Sequence, residues 1–237
     1  MAETLTLADE AMASHRSMHH TVINVAKLVN MQKNAELRDD VTSADVVNVD
    51  GAGVLWGARL CGVEVPERVA GIDIMVNLFA LCAQRGYRPF LLGAEQQVLA
   101  AVQRRIGIEH PTLAIAGTHD GYFDTAGEAT VVAAINASGA DCLFVAMPTP
   151  RKERFIRQYR ARLVPSFVMG VGGSFDVYGG KVARAPRFVQ SIGLEWLFRV
   201  LQEPRRLWGR YYETNTAYAG LLFRELWRSV RPARRVR

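Results

Sequence analysis

The chain has 237 residues, of which 49% are hydrophobic and 22% charged, with a formal net charge of +6. These proportions exclude a disordered or fibrous chain and fit one compact domain with an appendage. No apolar run approaches the roughly 18 residues that span a bilayer, and the acidic start (Glu3, Asp9, Glu10) is unlike an export signal. Cys61, Cys82 and Cys142 lie far apart with no CxxC pair, so buried thiols are expected rather than a disulfide framework or a zinc site.

Residues 1–18 show no clear period and read as a loose or helical lead-in. Thr21–Val25 reads as a strand with a helix to about Leu37, and Asp45–Asp50 as the next strand. A helix is expected over about Gly71–Arg85, a strand over Arg88–Gly93, then a helix to about Ile106. Thr112–Gly117 is the next expected strand, and Thr125-Ala-Gly-Glu128 has the capping-box pattern of a helix reaching about Ser138. Asp141–Met147 and Ser166–Val171 are the last strands, with a helix between them. These strands are continuous apolar runs, as expected when helices cover both faces of a parallel sheet. The fold class is therefore α/β, Rossmann-like and mainly parallel, with a C-terminal helical basic appendage. The division expected is a catalytic domain over 1–198 and a basic amphipathic appendage over 199–237 that either meets a membrane or completes the active site.

In such a sheet ligands bind beyond the carboxyl ends of the strands. Those ends hold Asn24, Asp50-Gly51, Gly93, Gly117–Gly121, Pro148-Thr149-Pro150 and Gly170–Gly173. Thr149 reads as an N-cap with Pro150 at the first helical position. Arg151 and Lys152 then occupy the first turn, where cations oppose the helix dipole unless an anion is bound; a phosphate site and a pair of solvated cations are both open. Gly170-Val-Gly-Gly-Ser-Phe-Asp176 is glycine-rich but is not the dinucleotide fingerprint, since Phe175 takes its last position. Asp176 is suited to accept hydrogen bonds from a sugar or base. Asp50 is a candidate general base, or simply half of an Asp-Gly turn. No HExxH, HxxxH, Asp-x-Asp or GxSxG is present, so local sequence supports neither a metal site nor a hydrolase elbow, and His19-His20 read as strand residues.

The charge is uneven. Residues 199–237 carry ten arginines against Glu203, Glu213 and Glu225, leaving the rest near neutral. Trp196, Trp208 and Trp227 lie in or just before this segment. Trp208, Tyr211, Tyr212, Tyr218, Leu222 and Leu226 recur at helical spacing, with Arg206, Arg210, Arg224 and Arg228 opposite and Pro204 as a helix start. A basic, aromatic, amphipathic helix suits an anionic lipid surface; a packed helix with a solvated arginine face is the alternative. Nucleic acid is not expected, because the body carries no recognisable motif for it.

Asp50-Gly51, Glu67-Arg68-Val-Ala-Gly71-Ile-Asp73, Phe90-Leu-Leu-Gly93, Gly121-Tyr-Phe123, Pro150-Arg-Lys-Glu153, Gly170-Val-Gly-Gly-Ser-Phe-Asp176, Arg184-Ala-Pro186 and Gly193-Leu-Glu-Trp196 occur in register over residues 20–215. In this order and spacing the chain resembles the WecG/TagA/CpsF glycosyltransferases. The resemblance implies an inverting transfer of a hexose or N-acetylhexosamine from a UDP-sugar to an undecaprenyl-type lipid-diphosphate saccharide, in exopolysaccharide, capsule or cell-wall glycopolymer synthesis. It implies work at the inner face of the bacterial membrane, without a metal or further cofactor. It places the catalytic base on Asp50 and a substrate-contacting arginine on Arg68. Substrate binding falls on Asn24, Gly93, Tyr122, Pro150, Lys152, Gly172, Gly173 and Asp176, the last toward the nucleotide. Val22 stands where the family has threonine, and Lys152 where glutamine is common. A non-catalytic nucleotide-sugar or lipid-diphosphate binding protein is the alternative; a homo-oligomer is allowed but not required.

Overall fold

The computed structural model describes residues 1–230, the side chains of residues 206, 229 and 230 excepted. In chain order the elements are α1 (Ala2–Ala13), β1 (Met18–Ile23), α2 (Val25–Lys33), α3 (Ala35–Thr42), β2 (Val46–Val49) and α4 (Ala52–Leu60). Then come α5 (Gly71–Arg85), β3 (Pro89–Gly93), α6 (Gln96–Glu109), β4 (Gly117–His119), α7 (Glu128–Ala137) and β5 (Cys142–Ala146). The last are α8 (Arg151–Tyr159), β6 (Phe167–Gly170), α9 (Ser174–Tyr178), α10 (Arg187–Ser191), α11 (Glu195–Gln202) and α12 (Pro204–Val230). The six strands form one parallel sheet in the order β2-β1-β6-β5-β3-β4. This is the α/β, Rossmann-like class expected.

Two compact units divide the chain. The first takes Met1–Val22, Ala35–Asn48 and Val69–Arg184; the second takes Ile23–Asn34, Val49–Arg68 and the chain from Ala185 on. In the first, the central strands are buried on both faces. Cys142, Phe144 and Ala146 of β5 join a core with Phe79 of α5 and Leu99 of α6. The alternate residues Leu143 and Val145 join a second core with Ile135 of α7 and Phe155 of α8. The period-two alternation of a strand thus feeds two cores, one on each side of the sheet. Each fully buried Phe contributes about 1.5–3 kcal/mol on this account. α5 has the apolar stripe Ile74, Met75, Leu78, Phe79 and Cys82. It stops at Gly86, whose φ of 79° returns its amide to the carbonyl of Cys82.

The second unit is helical. α12 packs against α2 and α11. Gly57 of α4 marks another approach: a Cβ there would stand 1.9 Å from the Tyr218 hydroxyl, which donates to the carbonyl of Gly53 at 3.0 Å.

Several elements differ from their sequence-based outlines for identifiable reasons. β1 starts at Met18, because Met18, His19 and His20 pair with Phe167, Val168 and Met169 of β6. The His20 ring nitrogen Nε2 meets Asn48 Oδ1 at 2.7 Å, which makes a buried histidine tolerable. The strand expected over 112–117 lies later: β4 runs Gly117–His119, sharing only Gly117 with that range, because this edge strand takes its register from Phe90, Leu91 and Leu92 of β3. Thr125 does not cap α7. Asp124 Oδ1 accepts the Gly127 amide at 2.8 Å, and Glu128 is fully buried with Arg154 Nη2 at 2.6 Å. The helix α4 is an addition to the expected elements: its Gly51, Gly53 and Gly57 weaken the propensity signal, and packing supplies what propensity does not.

Candidate active site

In the first unit the rim formed by the carboxyl ends of β3, β4, β5 and β6 carries glycines at or just beyond the ends of β3, β4 and β6. Gly93 has φ 111°, and a Cβ there would lie 2.4 Å from the carbonyl oxygen of Ala146. No other residue fits that position. Ala94 follows at φ 60°, its amide donating to the Ala146 oxygen at 3.0 Å. The Gly121 amide donates to the Ala94 oxygen at 3.0 Å, and a Cβ on Gly121 would reach within 3.2 Å of Gly93 Cα. Gly172, at φ 53°, has nothing within 4 Å of its missing Cβ. Gly173 caps α9, which carries Asp176 half-buried in its single turn.

Around this rim, Lys181 Nζ donates to Glu95 Oε1 at 2.8 Å. The Glu95 carboxylate beside it raises the Lys181 ammonium above its ordinary value. Tyr122 presents its side chain at 75% exposure. Arg151 turns back onto the same turn: Nη1 donates to the Gly121 oxygen at 2.8 Å and Nη2 to the Phe123 oxygen.

Pro150, rather than Thr149, occupies the N-cap of α8. The Thr149 hydroxyl instead donates to Glu153 Oε1 at 3.1 Å. Lys152 is buried; its ammonium pairs with Glu153 and reaches Thr149 Oγ1 at 3.4 Å. Its aliphatic stem lies over Gly170, where a Cβ would come within 2.7 Å of Lys152 Cε.

In the second unit, Asn24 caps α2 by accepting the Lys27 amide on Oδ1 at 2.9 Å. Asp50 follows β2 directly, half-buried, its amide donating to the carbonyl of Ile23 at 2.8 Å. Gly51, at φ 118°, turns the chain into α4, and its missing Cβ would stand 3.7 Å from Asn24 Cβ. Asn24 and Asp50 are thus held side by side. Arg68 Nη2 donates to Glu195 Oε2 at 2.6 Å and Nη1 to the Gln190 oxygen at 3.0 Å. Gly193, at φ 75°, permits this turn to lie on α4, since a Cβ would stand 2.4 Å from that of Ala52.

A family model described as "Glycosyl transferase WecG/TagA/CpsF family" matches residues 1–232. The chain belongs to this family. It is thereby a glycosyltransferase of cell-surface polysaccharide synthesis. Within this glycosyltransferase, the motif residues Gly93, Tyr122, Pro150, Lys152, Gly172, Gly173 and Asp176 fall in the first unit, and Asn24, Asp50 and Arg68 in the second. Glu95, Lys181 and Glu195 escaped the sequence reading. Glu195 was visible as part of Gly193-Leu-Glu-Trp196, but its ion pair with Arg68 spans 127 positions and leaves no local pattern. Among the described residues there is no group of three or more His, Cys, Asp or Glu side chains placed to hold a metal ion. No helix among them is long and apolar enough to cross a membrane.

Proposed function

We propose that this glycosyltransferase moves a sugar from a UDP-sugar to a lipid-diphosphate-linked saccharide, with inversion at the anomeric carbon. The observation that carries the donor half is the glycine-rich rim of the first unit, which is open at Gly172. The missing Cβ of Gly172 has nothing within 4 Å, which favours close approach of a diphosphate to the peptide groups there, while Gly93 and Gly121 let neighbouring main chain pack tightly. Tyr122 offers a ring face for the base and Asp176 an acceptor for the nucleoside. Asp50 is the proposed general base. Its carboxylate takes the proton of the acceptor hydroxyl as that oxygen bonds to C1. The C1–O bond to the β-phosphate breaks, and its electron pair leaves with UDP. Arg68 is proposed as the substrate-contacting cation, oriented by Glu195 and the Gln190 carbonyl.

The reading includes no metal and no further cofactor, so chelation should leave the rate unchanged. It places the protein at the inner face of the cell membrane, with an undecaprenyl-type acceptor and an anionic surface met by α12. The test is UDP release from a panel of UDP-sugars with and without a lipid-diphosphate saccharide. Release from one donor that depends on the lipid acceptor is expected; no release from any UDP-sugar contradicts the reading.

A further inference from the structure

Arg151 opens α8, where a cation opposes the helix dipole. The guanidinium turns back onto the Gly121–Phe123 loop. Its two terminal nitrogens donate to the carbonyls of Gly121 and Phe123, and its Cζ lies 4.5 Å from the centroid of the Phe123 ring. Phe123 packs edge-on against His119 at 5.5 Å and against the fully buried Phe155 at 6.1 Å. The residue between the two clamped carbonyls is Tyr122, whose amide donates to Asp120 Oδ1 at 2.8 Å. The backbone of this turn is tied down on both sides, yet the Tyr122 ring stands in solvent. Fixing the main chain on both sides sets the direction in which the Tyr122 side chain leaves it, so only the two side-chain torsions remain to be ordered when a base stacks on the ring.

We propose that Arg151 is a positioning residue: it pins the carbonyls on either side of Tyr122 and so sets where that exposed ring is presented as a stacking platform for the base of a nucleoside diphosphate, without contacting the phosphates. This rests on the nucleotide-sugar reading above. A guanidinium suits the task because it donates in its plane to both carbonyls while its flat face lies on Phe123, and a lysine's tetrahedral ammonium has no such face.

Ligand-detected NMR titrations of uridine and of UDP against the full chain test it, with Arg151→Ala, Arg151→Lys, Tyr122→Ala and the Arg151→Lys/Tyr122→Ala pair. A stacked base contributes enough that losing the platform should weaken binding about tenfold. Arg151→Ala and Arg151→Lys are both expected to weaken uridine and UDP by the same factor. In the Tyr122→Ala background, Arg151→Lys should add less than about twofold. A loss seen for UDP alone and restored by Arg151→Lys would make Arg151 a phosphate contact and overturn the proposal. So would additive losses in the pair, or a wild type that binds UDP but not uridine. A wild type that binds neither ligand overturns the nucleotide-sugar reading itself, and the inference with it. Tyr122 is exposed enough for its variant to fold, and Arg151→Lys keeps the charge, so these arms decide even if Arg151→Ala does not fold.

Discussion

Lys152 and Glu153 take opposite charges into the interior, with side-chain exposures of 5% and 2%. A buried pair adds little net stability, but removing one member leaves an uncompensated charge. Glu153→Gln is therefore expected to lower unfolding free energy by about 3–5 kcal/mol in urea denaturation. The equally recognisable pair Lys181–Glu95 is about half exposed on both sides, and Glu95→Gln should cost less than about 1 kcal/mol. Equal losses in the two variants would contradict this assignment. From the sequence, Arg151 and Lys152 look alike: two cations in a first helical turn. The structure separates them through partners the pattern does not encode. Arg151 meets carbonyls about 30 residues earlier, and Lys152 meets its own neighbour and a glycine on β6. Gly93 was legible because it sits at a strand end where a φ of 111° and the Ala146 carbonyl impose glycine; at the end of β2 it is Gly51, with φ 118°, that the main chain imposes, beside Asp50.

At the scale of elements, α5, β3, β5 and β6 were legible, since each buries a continuous apolar run or stripe. α12 was legible as a helix starting at Pro204, but its faces were not. Leu207 and Thr214 are buried and Tyr218 reaches Gly53, whereas Trp208, Tyr212, Phe223 and Trp227 are 55–67% exposed. The sequence pattern put Trp208 and Tyr212 on the same side as Tyr218. Which side packs is decided by Gly57 on α4, a gap that admits Tyr218, and a helix's own periodicity cannot report its neighbour's gap. Among the described side chains, Arg205, Arg210, Arg224 and Arg228 are exposed together with those aromatics. The side chain of Arg206, and Arg231, Arg234, Arg235 and Arg237, lie outside the description. Exposed aromatics with arginines suit an anionic interface better than a solvated polar face does. The full chain should sediment with vesicles containing phosphatidylglycerol, releasing as salt rises, and the double variant Arg224→Glu/Arg228→Glu should weaken this binding several-fold. Binding that is absent, or indifferent to salt and to both substitutions, contradicts the membrane role of α12.

For the molecule as a whole, the family and the parallel sheet followed from motifs in register and from strands buried on both faces. The grouping of the chain did not. Residues 23–34, 49–68 and 185 onward cluster together although they are far apart in sequence. Their association rests on close approaches at Gly57 and Gly193 and on the Arg68–Glu195 pair, none of which has a local signature. The second unit holds Asn24, Asp50 and Arg68, and the first holds the proposed nucleotide rim. The account thus stands on Asp50 as the base in sugar transfer. Its most direct test is the rate of labelled sugar transfer from the active UDP-sugar to a lipid-diphosphate saccharide, measured for wild type and Asp50→Asn alongside their UDP affinities. General-base assistance is worth about 10²–10⁴-fold, so the variant should lose that much turnover and bind UDP as the wild type does. An Asp50→Asn enzyme that transfers sugar at the wild-type rate would contradict the account.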